Sequence, residues 1–245
     1  MIEPGLSAHA DVYDAEGRLA CPGLIESHIF ALAREFDVDI DMHLDVGNTP
    51  DAMDIHLVRD LTRKHKRGGR VVVGHMAKLS LLPPDHVATI ARQLADAGIA
   101  VTVLPATDLF LMGRDQDHNI RRGVADANLL LEHGVNCSLS SNNILNPATP
   151  YGDCSLIRIA NLYANVVQLD RTAQLRECFR MLTDRSASLL NFRDYGIAIG
   201  HPADVVVINA RTPEQAISEI AQPVAAFKNG RRTVRWDLPR LMRPQ

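Results

Sequence analysis

Two stretches constrain the fold of this chain more than any others. Residues 37–48 read DVDIDMHLDVGN and residues 68–79 read GGRVVVGHMAKL; each is an aliphatic run that ends on a histidine, His43 and His75. Short runs rich in Val and Ile, bounded by Gly and Asn, are strand signals. A strand that delivers a histidine at its C-terminal end and then passes into a helix is how a (β/α) barrel builds a metal or acid–base site, because the loops at that end gather side chains from several strands.

The pattern around these runs repeats. Residues 50–66 carry Met53, Leu57, Val58 and Leu61 at helical spacing and end in the basic segment RKHKR, which suits a helix C-terminus. Pro84 and Asp85 open a helix through Ala97, and Gly98 closes it. Residues 99–104 form a third expected strand, 119–133 a helix closed by Gly134, and 135–139 a fourth strand. Residues 153–168, 172–182 and 187–191 read as further helices. Strand and helix alternating at roughly thirty-residue intervals mark parallel βαβ units, hence an α/β class. The ends differ. Residues 203–209, 224–228 and 232–234 are short strand patterns with a turn at Asn229 and Gly230, and residues 10–13 and 18–20 look alike. Residues 1–25 and 197–245 are therefore expected to form one small β-sandwich module beside a partial barrel over 26–196.

With 46% hydrophobic residues the chain has material for a packed core, and its net charge of -3 gives no reason to expect nucleic acid or an anionic membrane as partner. Cys21, Cys137, Cys154 and Cys178 sit singly, without zinc-finger or redox spacing, and read as reduced, buried, small apolar side chains. The start of the chain has no basic and apolar leader pattern, and no uncharged apolar run approaches ~18 residues, so a soluble cytoplasmic protein is expected.

Of ten histidines, His56, His65, His86 and His118 fall on polar faces or in loops and are expected at the surface. His9, His133 and His201 lie near turns or helix ends and read as structural. His28, His43 and His75 each follow a strand or a loop leading from one. A neutral imidazole ligates divalent cations well and needs an acceptor on its other nitrogen to fix its tautomer. Asp45 shares a face with His43 in an extended strand and is the candidate acceptor.

Six segments, in order, carry a resemblance: PGLIESHI at 22–29, DMHLD at 41–45, VGHM at 73–76, LPATDLFLMGR at 104–114 with RGV at 122–124, GVNCSLSSNNILNPATPYG at 134–152, and GHPADVVV at 200–207 with KNGR at 228–231. Together they resemble the cytosine deaminase-like branch of the amidohydrolase superfamily, which includes N-isopropylammelide hydrolases. The resemblance implies a (β/α)8, TIM-like barrel whose divalent metal, zinc or iron, activates water against a carbon–nitrogen bond of a small heterocyclic substrate. Matched residue by residue, His28 and His43 fall on metal-ligand positions, and His75 on the histidine that holds the hydroxide. Asn142 falls where an acidic metal ligand belongs, and Asn143 where a second acid belongs. Asp108 and Arg114, after strand seven, become candidate substrate contacts beside Asn143. Phe30 stands where the second ligand of an HxH pair belongs, and Val46 where a proton-shuttling Glu belongs. Strands two to four have no counterpart, since a complete barrel alone takes about 250 residues. The expectation is an incomplete barrel with open edges and exposed apolar faces, left open, joined to another copy across the gap, or incompletely folded. The implied activity is metal-dependent C–N hydrolysis. The alternative is an inactive relic, or a binding or interaction protein, of the same fold.

Overall fold

Parallel strands connected by helices bury alternate side chains under those helices, and this chain does so across four strands. In the computed structural model, which describes residues 25–237 and 239, β1 (Ile40–Leu44), β2 (Val71–His75), β3 (Ile99–Val103) and β4 (Cys137–Leu139) form one parallel sheet in the order β1-β2-β3-β4. Spatial order equals chain order, as it must when each crossover turns the same way around a barrel wall. A π-helical segment (Ile25–Phe30) and α1 (Ala31–Glu35) precede β1. The connections carry α2 (Ile55–Lys64), a 3₁₀ turn (Ala77–Leu81), α3 (Pro84–Ala97), α4 (Pro105–Leu111) and α5 (Ala127–Glu132), and α6 (Leu156–Val166), α7 (Thr172–Met181) and α8 (Asp184–Leu189) follow β4. The result is an incomplete (β/α) barrel.

Register decides which side chains the helices cover. Ile40, Met42 and Leu44 share a row with Val71, Val73, Ile99, Val101, Val103, Cys137 and Leu139, and all of these are buried. The opposite, concave row pairs Asp41 with Val72 and Ala100, and His43 with Gly74, Thr102 and Ser138. That row is small and polar, and the Thr102 and Ser138 hydroxyls hydrogen-bond at 2.8 Å. The interiors of closed barrels are dominated by bulky branched side chains. Here the open side does not present the broad apolar face that the sequence reading expected, because the residues pointing there are Asp, His, Gly, Ala, Thr and Ser with a single Val.

Local chemistry sets the element ends. Gly98 closes α3 in the left-handed region at φ 69°, and a Cβ there would stand 2.8 Å from the Gly69 nitrogen, so the turn before β2 packs directly on this helix end. The helix expected over 119–133 starts only at Ala127, because Asp126 accepts from the Asn128 and Leu129 amides and fixes the N-terminus there. α4 and α9 (Pro213–Ser218) were not anticipated, although each begins with Pro in its first turn.

The C-terminal strands β5 (Val205–Ile208), β6 (Pro223–Lys228) and β7 (Arg231–Arg235) form an antiparallel sheet in that order. The β6–β7 hairpin turns at Asn229 and Gly230, both at positive φ (48° and 73°), as a tight primed turn requires. The strands expected at 10–13 and 18–20, and with them the joining of the two chain ends, lie outside the described residues, as does Cys21. Cys137 and Cys178 are buried, whereas Cys154 is exposed, contrary to its expected burial. Burial pushes the Cys178 thiol up to about 12. His65 is half-buried with its ring 5.7 Å from that of Phe30, rather than at the surface. Among the described residues no helix is long and apolar enough to cross a membrane.

Candidate active site

His43 sits on the concave row of β1 beside Gly74. A Cβ at Gly74 would lie 3.0 Å from His43 Cδ2 and 3.3 Å from its Nε2, so the glycine makes room for the imidazole. His75 ends β2 in register with Leu44, on the helix-facing parity. Its backbone leaves the extended region, with φ 73° at His75 and 58° at Met76, and its ring meets His43 instead. His75 Nε2 is 3.2 Å from His43 Nδ1, and the rings stand edge to face with centroids 4.9 Å apart. Asp45 (φ 57°) and Asn142 (φ 60°) are left-handed as well. Each such non-glycine residue costs on the order of 1–2 kcal/mol, and strain of this kind concentrates where function over-determines the backbone.

Asp108 stands behind this pair. It lies on α4, is wholly buried, and places Oδ1 2.6 Å from His75 Nδ1. Burial raises its carboxyl above the ordinary range, while the bond to His75 pulls it back. Asp108, a candidate substrate contact from the sequence, has its carboxylate enclosed and facing His75. Asn142 is half-buried with its amide nitrogen 3.5 Å from His75 Nε2. His43, His75, Asp108 and Asn142 thus come together from β1, β2, α4 and the segment after β4.

His28 is exposed on the π-helical segment. Phe30 is fully buried in the core. Asn143 is half-buried and its backbone N–H donates to the Ser141 carbonyl at 2.8 Å, beside a narrow cleft that also touches Tyr151, Cys154 and Arg158. Arg114 is exposed, with its guanidinium 4.9 Å above the Phe110 ring. Val46 is half-buried next to Asp45.

Asp45 has a different task from orienting His43. Its two oxygens accept the backbone N–H groups of Asp54 (2.9 Å) and Ile55 (3.1 Å), which anchors the start of α2. The ammonium of Lys78 lies 4.0 Å away, and both side chains are completely enclosed. Lys78 Nζ also donates to the Ala52 carbonyl at 3.0 Å. Burial pushes the Asp45 carboxyl up to about 6, against the pull of the two amides and Lys78. Lys78 went unnoticed in the sequence, where it sits in the apolar run MAKLSLL and a buried cation is rare.

A catalytic zinc centre takes three protein donors and keeps one position open. The facing nitrogens of His43 and His75 are separated by nearly the roughly 3.3 Å expected for two donors sharing a tetrahedral cation. Their third neighbour, however, is the neutral amide of Asn142. Among the described residues no three His, Cys, Asp or Glu side chains gather to hold an ion. The donor set described here does not fit such a centre.

The amidohydrolase family profile matches residues 29–234. This chain belongs to the amidohydrolase family. Curated relatives include N-isopropylammelide isopropyl amidohydrolase of Pseudomonas sp. (strain ADP), 28% identical over 82% of this chain and 47% of the relative. Pterin deaminase of Rhizobium rhizogenes is 27% identical over 79% of this chain and 44% of its own length. Among solved structures, 5-methylcytosine deaminase from Klebsiella pneumoniae superposes with a TM-score of 0.83 at 23% identity, covering 88% of this chain and 52% of that one. N-isopropylammelide isopropylaminohydrolase from Burkholderia multivorans gives 0.72 at 21% identity, over 84% and 50%. The chain spans about half the length of the curated relatives it matches.

Proposed function

We propose that this chain serves hydrolysis of a carbon–nitrogen bond on a small nitrogen heterocycle of the pyrimidine, triazine or pterin class. The observation that carries the reading is the meeting of His75, His43 and Asp108 at the C-terminal strand ends, in a chain of the amidohydrolase family. Such a reaction must take a proton from the attacking water and deliver one to the departing nitrogen. His75 is the residue assigned to that transfer, with Nδ1 held by Asp108; general acid–base catalysis of this kind contributes about 10²–10⁴ in rate. Asn142 and Asn143 supply neutral amide donors and acceptors suited to the edge of a heteroaromatic ring, and Arg114 lies further out on α4's flank. A divalent cation is typical of the family. It would draw on His43 and would need a donor that the described residues do not supply.

A second reading is ring binding without turnover. It is favoured by Val46 at the position of the proton shuttle and by the incomplete donor set. Release of ammonia or amine from 5-methylcytosine, N-isopropylammelide and pterin, with and without added zinc or iron(II), separates the two. Turnover of at least one compound, lowered 100-fold or more by His75→Ala, is expected under the first reading. Calorimetric binding with no release under any condition selects the second. Neither binding nor release contradicts both.

A further inference from the structure

Asp108 is an expensive residue to keep. Its carboxylate is completely enclosed, and while Oδ1 meets His75, Oδ2 has no hydrogen-bond partner among the described residues. A half-satisfied buried carboxylate is worse for folding than an apolar side chain of the same volume. Its presence beside a strained histidine therefore calls for a reason other than stability.

We propose that Asp108 is a positioning residue that fixes the tautomer of His75, and through it the direction of the hydrogen bond to His43. With Asp108 ionised, its carboxylate only accepts, so the ring nitrogen at 2.6 Å, His75 Nδ1, carries the proton and donates. His75 is then left with a bare lone pair on Nε2. That atom faces His43 Nδ1 at 3.2 Å and the Asn142 amide nitrogen at 3.5 Å; the Asn142 N–H donates to it, and so does His43 when its own proton sits on Nδ1. With the opposite tautomer, Nε2 would carry a hydrogen, meet the Asn142 N–H donor to donor, and could accept nothing. This inference rests on the reading of His75 as the proton acceptor, but it concerns the resting protein and is measured without substrate.

The test is a long-range proton–nitrogen correlation spectrum of the ¹⁵N-histidine-labelled full chain at pH 8, with His75 assigned by His75→Gln. The expected result is a protonated Nδ1 and a bare Nε2 at His75. Asp108→Leu, which removes the acceptor and the orphaned oxygen together, is expected to keep the thermal midpoint or raise it while the His75 proton moves to Nε2. A His75 proton on Nε2 in the unaltered chain overturns the inference, as does an unchanged Nδ1–H tautomer in Asp108→Leu. Should Asp108→Leu fail to fold, the spectrum of the unaltered chain still decides. The expected tautomer without any heterocycle turnover would sink the proposed hydrolysis and leave the positioning role standing.

Discussion

Replacing Asp45 by alanine removes a carboxylate that faces both the start of α2 and the enclosed Lys78. Two backbone N–H groups, those of Asp54 and Ile55, lose an acceptor at 2.9 and 3.1 Å. Leaving a buried donor unsatisfied costs about 1–3 kcal/mol. The Lys78 ammonium, at 0% exposure, loses the carboxylate 4.0 Å away; removing one member of a buried ion pair costs about 3–5 kcal/mol. These losses share the same space and water can enter the vacated volume, so they do not add. A destabilisation of about 4 kcal/mol is expected, roughly a thousandfold in the unfolding equilibrium. In urea, with a slope of about 2 kcal/mol per molar, the midpoint falls by about 2 M. Equilibrium unfolding followed by circular dichroism at pH 8, where Asp45 is ionised because burial places its carboxyl only up to about 6, is the direct assay. Lys78→Met alone should also destabilise, whereas Asp45→Leu with Lys78→Met should recover much of the loss. A loss below about 1 kcal/mol for Asp45→Ala would refute the claim that this pair anchors the loop after His43.

Gly74→Ala places a Cβ 3.0 Å from His43 Cδ2 and 3.4 Å from Leu104 Cδ1; overpacking of this kind costs about 1–3 kcal/mol, read as a lower thermal midpoint, and an unchanged midpoint would mean that the glycine is not making room for the ring. Tyr163→Phe removes a buried hydroxyl that donates to Asn128 Oδ1 at 2.9 Å and accepts the Asn128 amide at 3.1 Å, with an expected loss of about 1–2 kcal/mol in urea unfolding. Arg70, and then Arg67, hold the Asp37 carboxyl below its usual value of 3.8. A carboxylate with a depressed folded pKa stabilises above the unfolded value and loses that contribution as pH falls through the folded one. Melting temperatures of Asp37→Asn should therefore fall less steeply below about pH 4 than those of the unaltered chain, and identical slopes would exclude the linkage.

The strands, their order of appearance and the histidines at their ends were legible because period, Gly and Pro punctuation and aliphatic composition agree over residues 37–104. Family membership was legible because six separate segments matched in order. The bond from Asp108 to His75 was not legible for a physical reason: sequence places Asp108 in a loop after strand seven, and only the helix begun by Pro105 turns its side chain inward onto His75. Asp45 followed the period of an extended strand on paper, but its backbone turns left-handed and sends the carboxylate to α2. The small, polar concave row was present in the letters Asp41, His43, Gly74, Thr102 and Ser138, yet only the register of four strands puts them on one face. Lys78 could not be found from an apolar run, because its partner lies thirty-odd residues earlier in the chain and nothing local announces it.

The most direct measurement is a crystal structure of this chain soaked with 5-fluorocytosine. The expected result is the ring seated at the C-terminal strand ends, with atoms within about 4 Å of both His43 and His75 and with His75 still bonded to Asp108. A ring bound elsewhere, or His43 and His75 found pointing apart, would contradict the account.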